Sequence, residues 1–256
     1  MELTLPFDAA WAVGLTLAIV RVAAFTVASP ITGRAVPVAA RLGFTIAVAT
    51  AIATPVPGAL DLPVLVTAVV VNAVVGATLG YVSGLPVHLF ATAGSSIDLV
   101  SGLSVATVFD PIQGDQGAVF ARLFHLTATT MFLIGGGITL LVGGLVASVR
   151  VLPLDAAITP SPGLAGLVIQ LTSHVVRAGV ELALPVIGVL LMLELALGLA
   201  SRFAPQANVF MLGLPIKILA AITVVGASFV LFPDAVDGFE AEVGRTMTAV
   251  LRGFGA

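Results

Sequence analysis

The chain has 256 residues, of which 59% are hydrophobic and only 9% charged, and its net charge is −3. Soluble domains carry about 25% charged residues, which keep the folded surface hydrated. A chain this poor in charge needs lipid or apolar protein partners to cover part of its surface, and its length says little about domain count. Basic residues do not cluster, which argues against nucleic acid as a partner. The absence of cysteine excludes disulfides and thiolate chemistry.

Six apolar stretches follow one another, each at least as long as the roughly 20 residues that a helix needs to cross a bilayer core. The first follows the acidic residues Glu2 and Asp8 and is too long for a signal peptide, so we expect a retained span. The fourth contains a glycine triplet at 135–137, which predicts a soft point in its helix. The fifth is long enough for two helices or one kinked helix. Together they predict an all-α membrane protein of about six hydrophobic, kinked helices. In chain order they are 9–29, 36–55, 62–97, 123–149, 164–200 and 208–232.

Small and helix-breaking residues indicate where these helices pack and bend. Gly76, Gly80 and Gly84 fall four residues apart, which places them on one helix face where another backbone can approach closely. The alternative is the general frequency of glycine in membrane helices. Pro86 and Pro185 lie inside apolar stretches, where each removes a backbone hydrogen bond and predicts a kink or a helix end. We therefore expect helices that bend within an assembly, because neighbours must satisfy the freed backbone groups.

The C-terminal tail, 233–256, differs from the rest in carrying charges among its apolar residues at helical spacing. This pattern predicts an amphipathic helix that faces water or docks on a partner. A plain solvated C-terminus is the alternative. Basic residues elsewhere are spread too evenly between the stretches to assign a membrane orientation. The tail charges are Asp234, Asp237, Glu240, Glu242, Arg245 and Arg252.

Charged residues inside apolar stretches are functional candidates, because a charge left in lipid costs at least about 2–3 kcal/mol. Five residues qualify: Arg21, Asp98, Arg177, Glu181 and Glu194. Arg177 and Glu181 lie one helical turn apart and can pair. Arg21 and Glu194 lack a partner at helical spacing. Each is an ion site of a transporter or a group satisfied by another subunit, and we favour the second interpretation.

Motifs for catalysis or metal binding are absent from the sequence. His88, His125 and His174 stand far apart without an acidic neighbour at metal-ligand spacing, which favours packed or interfacial histidines. Lys217 is the single lysine and belongs to no phosphate-binding loop, and no zinc-protease or hydrolase-elbow motif occurs. We therefore expect no catalytic residues, no metal and no cofactor.

The segment 104–117, SVATVFDPIQGDQG, is the most distinctive break between apolar stretches. Its Asp-Pro step and nearby glycines are typical of a turn, so we expect a loop. An ordinary external loop is one interpretation. Val105, Val108, Phe109 and Ile112 are unusually apolar for a loop that faces water, and a loop of this kind between membrane helices can instead fill a pore.

Four parts of the chain resemble, in the same order, the R subunit of the flagellar export gate (the FliR family), which injectisome type III secretion systems share. They are RVAAF with ASPITGRAVP (21–25, 28–37), GSSID with GLSVATVFDP (94–98, 102–111), ALPVIG with ELALGL (183–188, 194–199) and RFAPQANVFMLGLPIK (202–217). The last is the most specific. The resemblance covers most of the chain and implies one export-gate domain over 1–256. Within it, 1–160 resemble a P-type subunit, 161–232 resemble a Q-type helical hairpin, and 233–256 form the tail.

The resemblance implies a function without catalysis. Subunits of this kind assemble with P and Q subunits into a hetero-oligomeric gate of helical hairpins, through which unfolded proteins are exported. The B switch subunit contacts this gate, which lies in the flagellar basal body at the bacterial inner membrane. The expected partners are therefore the P, Q and B subunits, the exported proteins and the membrane.

The resemblance also assigns two sets of site residues by position. The loop after the third stretch acts in this family as a plug of the closed pore, and its apolar content suits a seal because a hydrophobic constriction resists wetting. Asp115 departs from some relatives, which bears on the plug boundary. The plug residues are Val108, Phe109, Asp110, Pro111, Ile112 and Gln113. A motif on the cytoplasm-facing side of the last hairpin comprises Arg202, Pro205, Gln206, Asn208 and Lys217.

A small secondary transporter is the alternative function. Glu194, Glu181 and Asp98 would then be coupling-ion sites near the bilayer midplane. Transporter folds often contain two matched halves, and the sequence shows no convincing internal repeat.

Overall fold

A computed structural model of the protein describes residues 9–31, 36–56, 61–104, 118–156, 163–203, 209–229 and 232–255. In these ranges the chain forms eight α-helices and no strand. The prediction of an all-α protein built from apolar helices is confirmed. In chain order the helices are α1 Ala9–Ala28, α2 Val38–Ile52, α3 Leu62–Ser101, α4 Val119–Ile134, α5 Gly137–Val151, α6 Gly163–Phe203, α7 Val209–Ser228 and α8 Phe232–Gly255.

Three of these helices, α1, α3 and α6, are long and apolar enough to cross a membrane. A fourth span exists if α4 and α5 count as one broken helix. Helix α2 and the part Gly213–Ser228 of α7 are apolar but shorter than a bilayer crossing requires. All six predicted stretches are thus helical, although fewer than six reach spanning length.

The breaks follow glycine rather than proline. Pro86 lies inside the 40-residue helix α3 and Pro185 inside the 41-residue helix α6, so the stretch 164–200 is one helix rather than two. The fourth stretch, by contrast, divides into α4 and α5. Gly136 at this break has φ 103°, a left-handed conformation that side chains with a Cβ rarely adopt. The predicted soft point in the fourth stretch is therefore confirmed.

Contacts between residues divide the chain into two compact units. Unit 1 contains Met1–Leu85, Gly136–Leu171 and Glu240–Ala256, and unit 2 contains Pro86–Gly135 and Thr172–Phe239. Helices α3, α6 and α8 contribute to both units. The predicted division into P-like residues 1–160, Q-like residues 161–232 and a tail remains a prediction.

The core of unit 1 lies between α1, the first part of α3, α5 and α8. Leu17, Val22 and Phe25 of α1 are fully buried, as are Val75 and Leu79 of α3. The spacing of three between Val22 and Phe25, and of four between Val75 and Leu79, keeps each pair on one face of its helix. Helices α1 and α2 also pack on each other, and the backbone N–H of Val56 donates to the carbonyl of Ala10.

Helix α8 is amphipathic and closes unit 1. Its buried residues recur at helical spacing, while Glu242 and Arg245 pair with each other on the exposed side at 2.9 Å. Met247 lies against Gly144 of α5. Over the residues whose side chains are described, α8 is therefore amphipathic, and its apolar face docks on the chain itself. The buried residues are Val243, Met247, Val250, Leu251 and Phe254.

Unit 2 is built around phenylalanines of α4. Phe120, Phe124 and Phe132 are buried there, and the ring of Phe124 meets that of Phe229 edge to face with centroids 6.1 Å apart. This geometry is favoured by aromatic quadrupoles. Helix α6 adds Leu190, which is fully buried.

Candidate functional site

Part of the predicted site lies outside the described residues. This holds for all six plug residues, 108–113, and for Pro205, Gln206 and Asn208 of the hairpin motif. The plug assignment therefore remains a prediction. The other predicted residues form three groups: a glycine face on α3, a buried polar cluster around Arg21, and acidic groups of unit 2.

The glycine face of α3 lies directly on α1 and the residues after it. A Cβ added at Gly76 would collide with the Arg21 carbonyl, and one at Gly80 would lie 3.0 Å from the carbonyl carbon of Phe25. At Gly84 the side chain of Pro30 fills the same position. Three glycines in register thus allow two backbones to meet. The neighbour that they contact belongs to the same chain.

Arg21 is the largest fully buried side chain in the described ranges. Its Nε donates to Asn72 Oδ1 at 2.8 Å. Its Nη1 donates to the carbonyl oxygen of Leu152 at 2.9 Å and to Ser148 Oγ at 3.3 Å. Asn72 in turn donates from Nδ2 to the carbonyl of Leu154 at 2.8 Å. We name Arg21, Asn72 and Ser148 the arginine cluster; it ties α1, α3, α5 and the turn after α5 together.

The arginine cluster satisfies a buried cation with neutral acceptors. None of the ion pairs found in the described ranges involves Arg21, and its Nη2 has no hydrogen-bond partner there. Sequence reasoning favoured a second subunit as the partner of Arg21, whereas the structure places its partners within the chain. A buried charge is costly to leave unpaired, so each neutral acceptor contributes strongly to the packing of unit 1.

Asp98 lies near the C-terminal end of α3 and is 2% exposed. Its Oδ1 accepts the backbone N–H of Phe120 at 3.0 Å, and its Oδ2 accepts that of Ala121 at 2.9 Å. These are the free donors of the first turn of α4, whose own N-cap residue, Ala118, supplies no side-chain acceptor. Asp98 therefore caps a helix that begins some twenty residues later in the chain.

The remaining intramembrane charges pair within unit 2. Arg177 Nε donates to Glu181 Oε1 at 2.8 Å across one turn of α6, the pair that the spacing allowed. Lys217 Nζ of α7 donates to Glu194 Oε1 of α6 at 2.7 Å. Sequence reasoning favoured another subunit as the partner of Glu194, and the structure supplies Lys217 instead. Arg202, at the end of α6, is exposed.

The chain matches a family model described as bacterial export proteins, family 1, over residues 12–242. The chain belongs to this family. The match includes every element of the site described above.

Three relatives carry names that refer to flagellar biosynthesis or to surface presentation of antigens. The flagellar biosynthetic protein FliR of Pectobacterium carotovorum subsp. carotovorum is 33% identical over 147 residues, 57% of this chain and 56% of the relative. FliR of Escherichia coli (strain K12) is 35% identical over 124 residues, 48% and 47% of the two chains. The surface presentation of antigens protein SpaR of Shigella flexneri is 35% identical over 122 residues, 48% and 46%. The chain spans about half the length of these curated relatives.

This export protein has a broad apolar surface on α6 and α7. Met192, Leu195 and Leu199 of α6 are 74%, 70% and 60% exposed, and their spacing places them on one helix face. On α7, Leu219 and Ile222 are also exposed. Apolar patches of this kind indicate contact with lipid or with other proteins.

Sequence reasoning missed two functional candidates of this family member, Asn72 and Ser148. It considered only charges inside apolar stretches, and both residues are uncharged. An isolated amide in the middle of a 36-residue uncharged stretch was the available signal, since such a group needs a hydrogen-bond partner in an apolar interior. The described ranges contain no group of three or more His, Asp or Glu residues that could hold a metal ion.

Proposed function

We propose that this export protein is a subunit of the flagellar type III export gate. Together with P- and Q-type subunits it forms the channel through which unfolded flagellar proteins are exported. The family match over residues 12–242 is the observation that carries the proposal, and relatives named as flagellar biosynthetic proteins favour the flagellar system. Its place is the basal body at the bacterial inner membrane, and the B switch subunit contacts it there. Its role is conduction rather than catalysis.

The apolar surface of α6 and α7 supports an assembled state. Side chains such as Met192 and Leu219 need an apolar neighbour. Glu194 of the same helix is also half-exposed, on a different face from Met192, Leu195 and Leu199. Sister subunits are a better cover than lipid for a helix that exposes a carboxylate, because they can offer hydrogen-bond donors.

The segment 108–113 is proposed as the plug of the closed channel. The chain after the segment is anchored, because Asp98 holds the first turn of α4, which begins six residues after Gln113. Shortening Val108–Gln113 should make the assembled gate leak ions in a conductance measurement. Leakage at the wild-type level would remove the plug assignment.

The transporter alternative is not supported by the acidic groups that it needs. Both oxygens of Asp98 accept backbone N–H groups. Glu181 pairs with Arg177 and Glu194 with Lys217. Three acids that are each occupied by separate partners do not form a coupling-ion site.

Co-expression tests the proposal. The chain should be recovered as a monodisperse particle only when P- and Q-type subunits are produced with it, and the three should co-purify. A matched preparation of the chain alone should aggregate or be degraded. A stable, monodisperse particle of the chain alone would contradict the proposed function.

A further inference from the structure

One residue, Asp98, contacts the chain on both sides of the segment 105–117. On the near side, its backbone carbonyl accepts the N–H of Ser104 at 3.2 Å and the hydroxyl of Ser101 at 3.2 Å. On the far side, its carboxylate accepts the N–H groups of Phe120 and Ala121. The near-side contacts belong to the backbone of α3 and would form with any residue at this position, whereas the tie to α4 depends on the Asp98 side chain.

A second residue one turn earlier supports the same contact. A Cβ added at Gly94 would collide with the carbonyl oxygen of Phe120 and lie 2.5 Å from the Cα of Ala121. Residues four apart lie on one helix face, so Gly94 and Asp98 meet the first turn of α4 together. Gly94 lets the two backbones approach, and Asp98 supplies the acceptors.

The chemistry makes this contact specific for a carboxylate. Two N–H donors of one helical turn need two acceptor oxygens, and an ionised carboxyl group offers both. The negative charge also lies at the positive end of the α4 dipole. An amide in the same place offers one acceptor and turns a donor towards a second donor.

We propose that the Asp98 carboxylate is the positioning group that fixes the α4 end of the segment 105–117 to α3, and that this clamp keeps the closed channel sealed. The second half of this statement rests on the proposed function, in which that segment is the plug. We name Gly94 and Asp98, with the first turn of α4, the α3–α4 clamp. Weakening the clamp frees the point at which the plug segment returns to α4.

Two variants weaken the clamp by different routes, and each has a matched control. Asp98→Asn removes one acceptor and the charge; Asp61→Asn makes the same change at an exposed position just before α3. Gly94→Ala adds a methyl group against α4; Gly188→Ala adds one on α6 in the same unit, where nothing lies within 4 Å. The assembled gate is used for all four and for the plug-shortened chain.

Hydrogen exchange of the backbone amides in 118–124 within the assembled gate measures the stability of the clamp, and this measurement does not depend on the plug assignment. We expect Asp98→Asn and Gly94→Ala to accelerate exchange there about tenfold, since a hydrogen bond to a charged group is worth roughly a decade in an equilibrium constant. Exchange of α5 should not change. Unaltered exchange at 118–124 in both clamp variants would overturn the inference.

Conductance then separates the inference from the proposed function. Several-fold more leakage in both clamp variants than in their controls, with leakage in the plug-shortened chain, supports the clamp as part of the seal. If the plug-shortened gate leaks while the clamp variants stay as tight as their controls, the sealing role of Asp98 is overturned and the plug stands. If the plug-shortened gate is tight, the proposed plug and the sealing role both fail, and exchange alone decides the clamp.

Discussion

The arginine cluster offers the sharpest test of how unit 1 is held together. Asn72 accepts from Arg21 Nε at 2.8 Å and donates to the carbonyl of Leu154 at 2.8 Å, and both contacts are buried. Asn72→Leu keeps the volume of the side chain nearly constant but removes both of these hydrogen bonds, together with a third from Nδ2 to the carbonyl of Ala68 in the same helix at 2.7 Å. The substitution therefore changes polarity at a site whose packing is largely preserved.

The magnitude follows from the two contacts. A buried hydrogen bond to a charged group contributes about 1.5–3 kcal/mol, and a neutral one about 0.5–1.5 kcal/mol. Asn72→Leu should then lower the free energy of unfolding by about 2–4 kcal/mol. In a chain of this size, that corresponds to a thermal midpoint lower by roughly 5–10 °C.

A double-mutant cycle isolates the pairing itself. Arg21→Met alone should also be destabilising, because it leaves the buried Asn72 oxygen without its donor. In Arg21→Met/Asn72→Leu no polar group of this pair remains, so the loss should be smaller than the sum of the two single losses by about 1.5 kcal/mol or more. Thr78→Ala, which removes an exposed hydroxyl on α3, serves as the control.

The assay uses the chain as a fluorescent fusion within its co-expressed gate. Solubilised samples are heated, and the fraction that elutes as intact complex in size-exclusion chromatography gives the midpoint. Additive losses in the double variant would refute the proposed pairing of Arg21 with Asn72. A midpoint for Asn72→Leu equal to that of Thr78→Ala would refute the energetic role of the cluster.

Three further predictions concern other contacts. Gly80→Leu should prevent recovery of the gate while leaving membrane insertion intact, because the leucine side chain would collide with α1. The control Gly143→Leu places the same side chain in open space and should be tolerated. Equal recovery of the gate from both variants would contradict the packing face. Lys217→Met removes the partner of the half-exposed Glu194. It should lower the thermal midpoint by only about 1–3 °C, because an ion pair of this exposure contributes at most about 1 kcal/mol. A midpoint lower by more than about 10 °C would show that another subunit buries the pair. Met247→Ala should lower the free energy of unfolding by about 2–5 kcal/mol, because Met247 is only 2% exposed. Arg245→Ala, on the exposed face of α8, should change the thermal midpoint very little. A larger effect of the arginine substitution would contradict the orientation of α8.

The helices could be predicted because long apolar runs and their interruptions are local properties of the sequence. The limits of α1, the position of the break in the fourth stretch and the amphipathic face of α8 all follow from such patterns. Division of the fifth stretch was left open, because a proline can kink a helix without ending it when neighbours cover the freed carbonyl.

Partners of the isolated charges could not be predicted, because they come from distant parts of the chain. Arg21 meets groups 51 and 127 residues away, and Asp98 meets backbone donors 22 and 23 residues away. Backbone N–H and C=O groups are present at every residue, so the sequence does not mark which of them will face a charge. Only the packing of α3 on α1, made close by the glycines at 76 and 80, brings the arginine and the amide together.

The central claim is that sister subunits cover the apolar face of α6. Photo-crosslinking in living cells tests it most directly, with a photoreactive amino acid at Met192, which is 74% exposed, and at the fully buried Leu190 as the control. Position 192 should form a specific crosslink to a P- or Q-type subunit, and position 190 should form none. Crosslinks from position 192 to lipid alone would contradict the account.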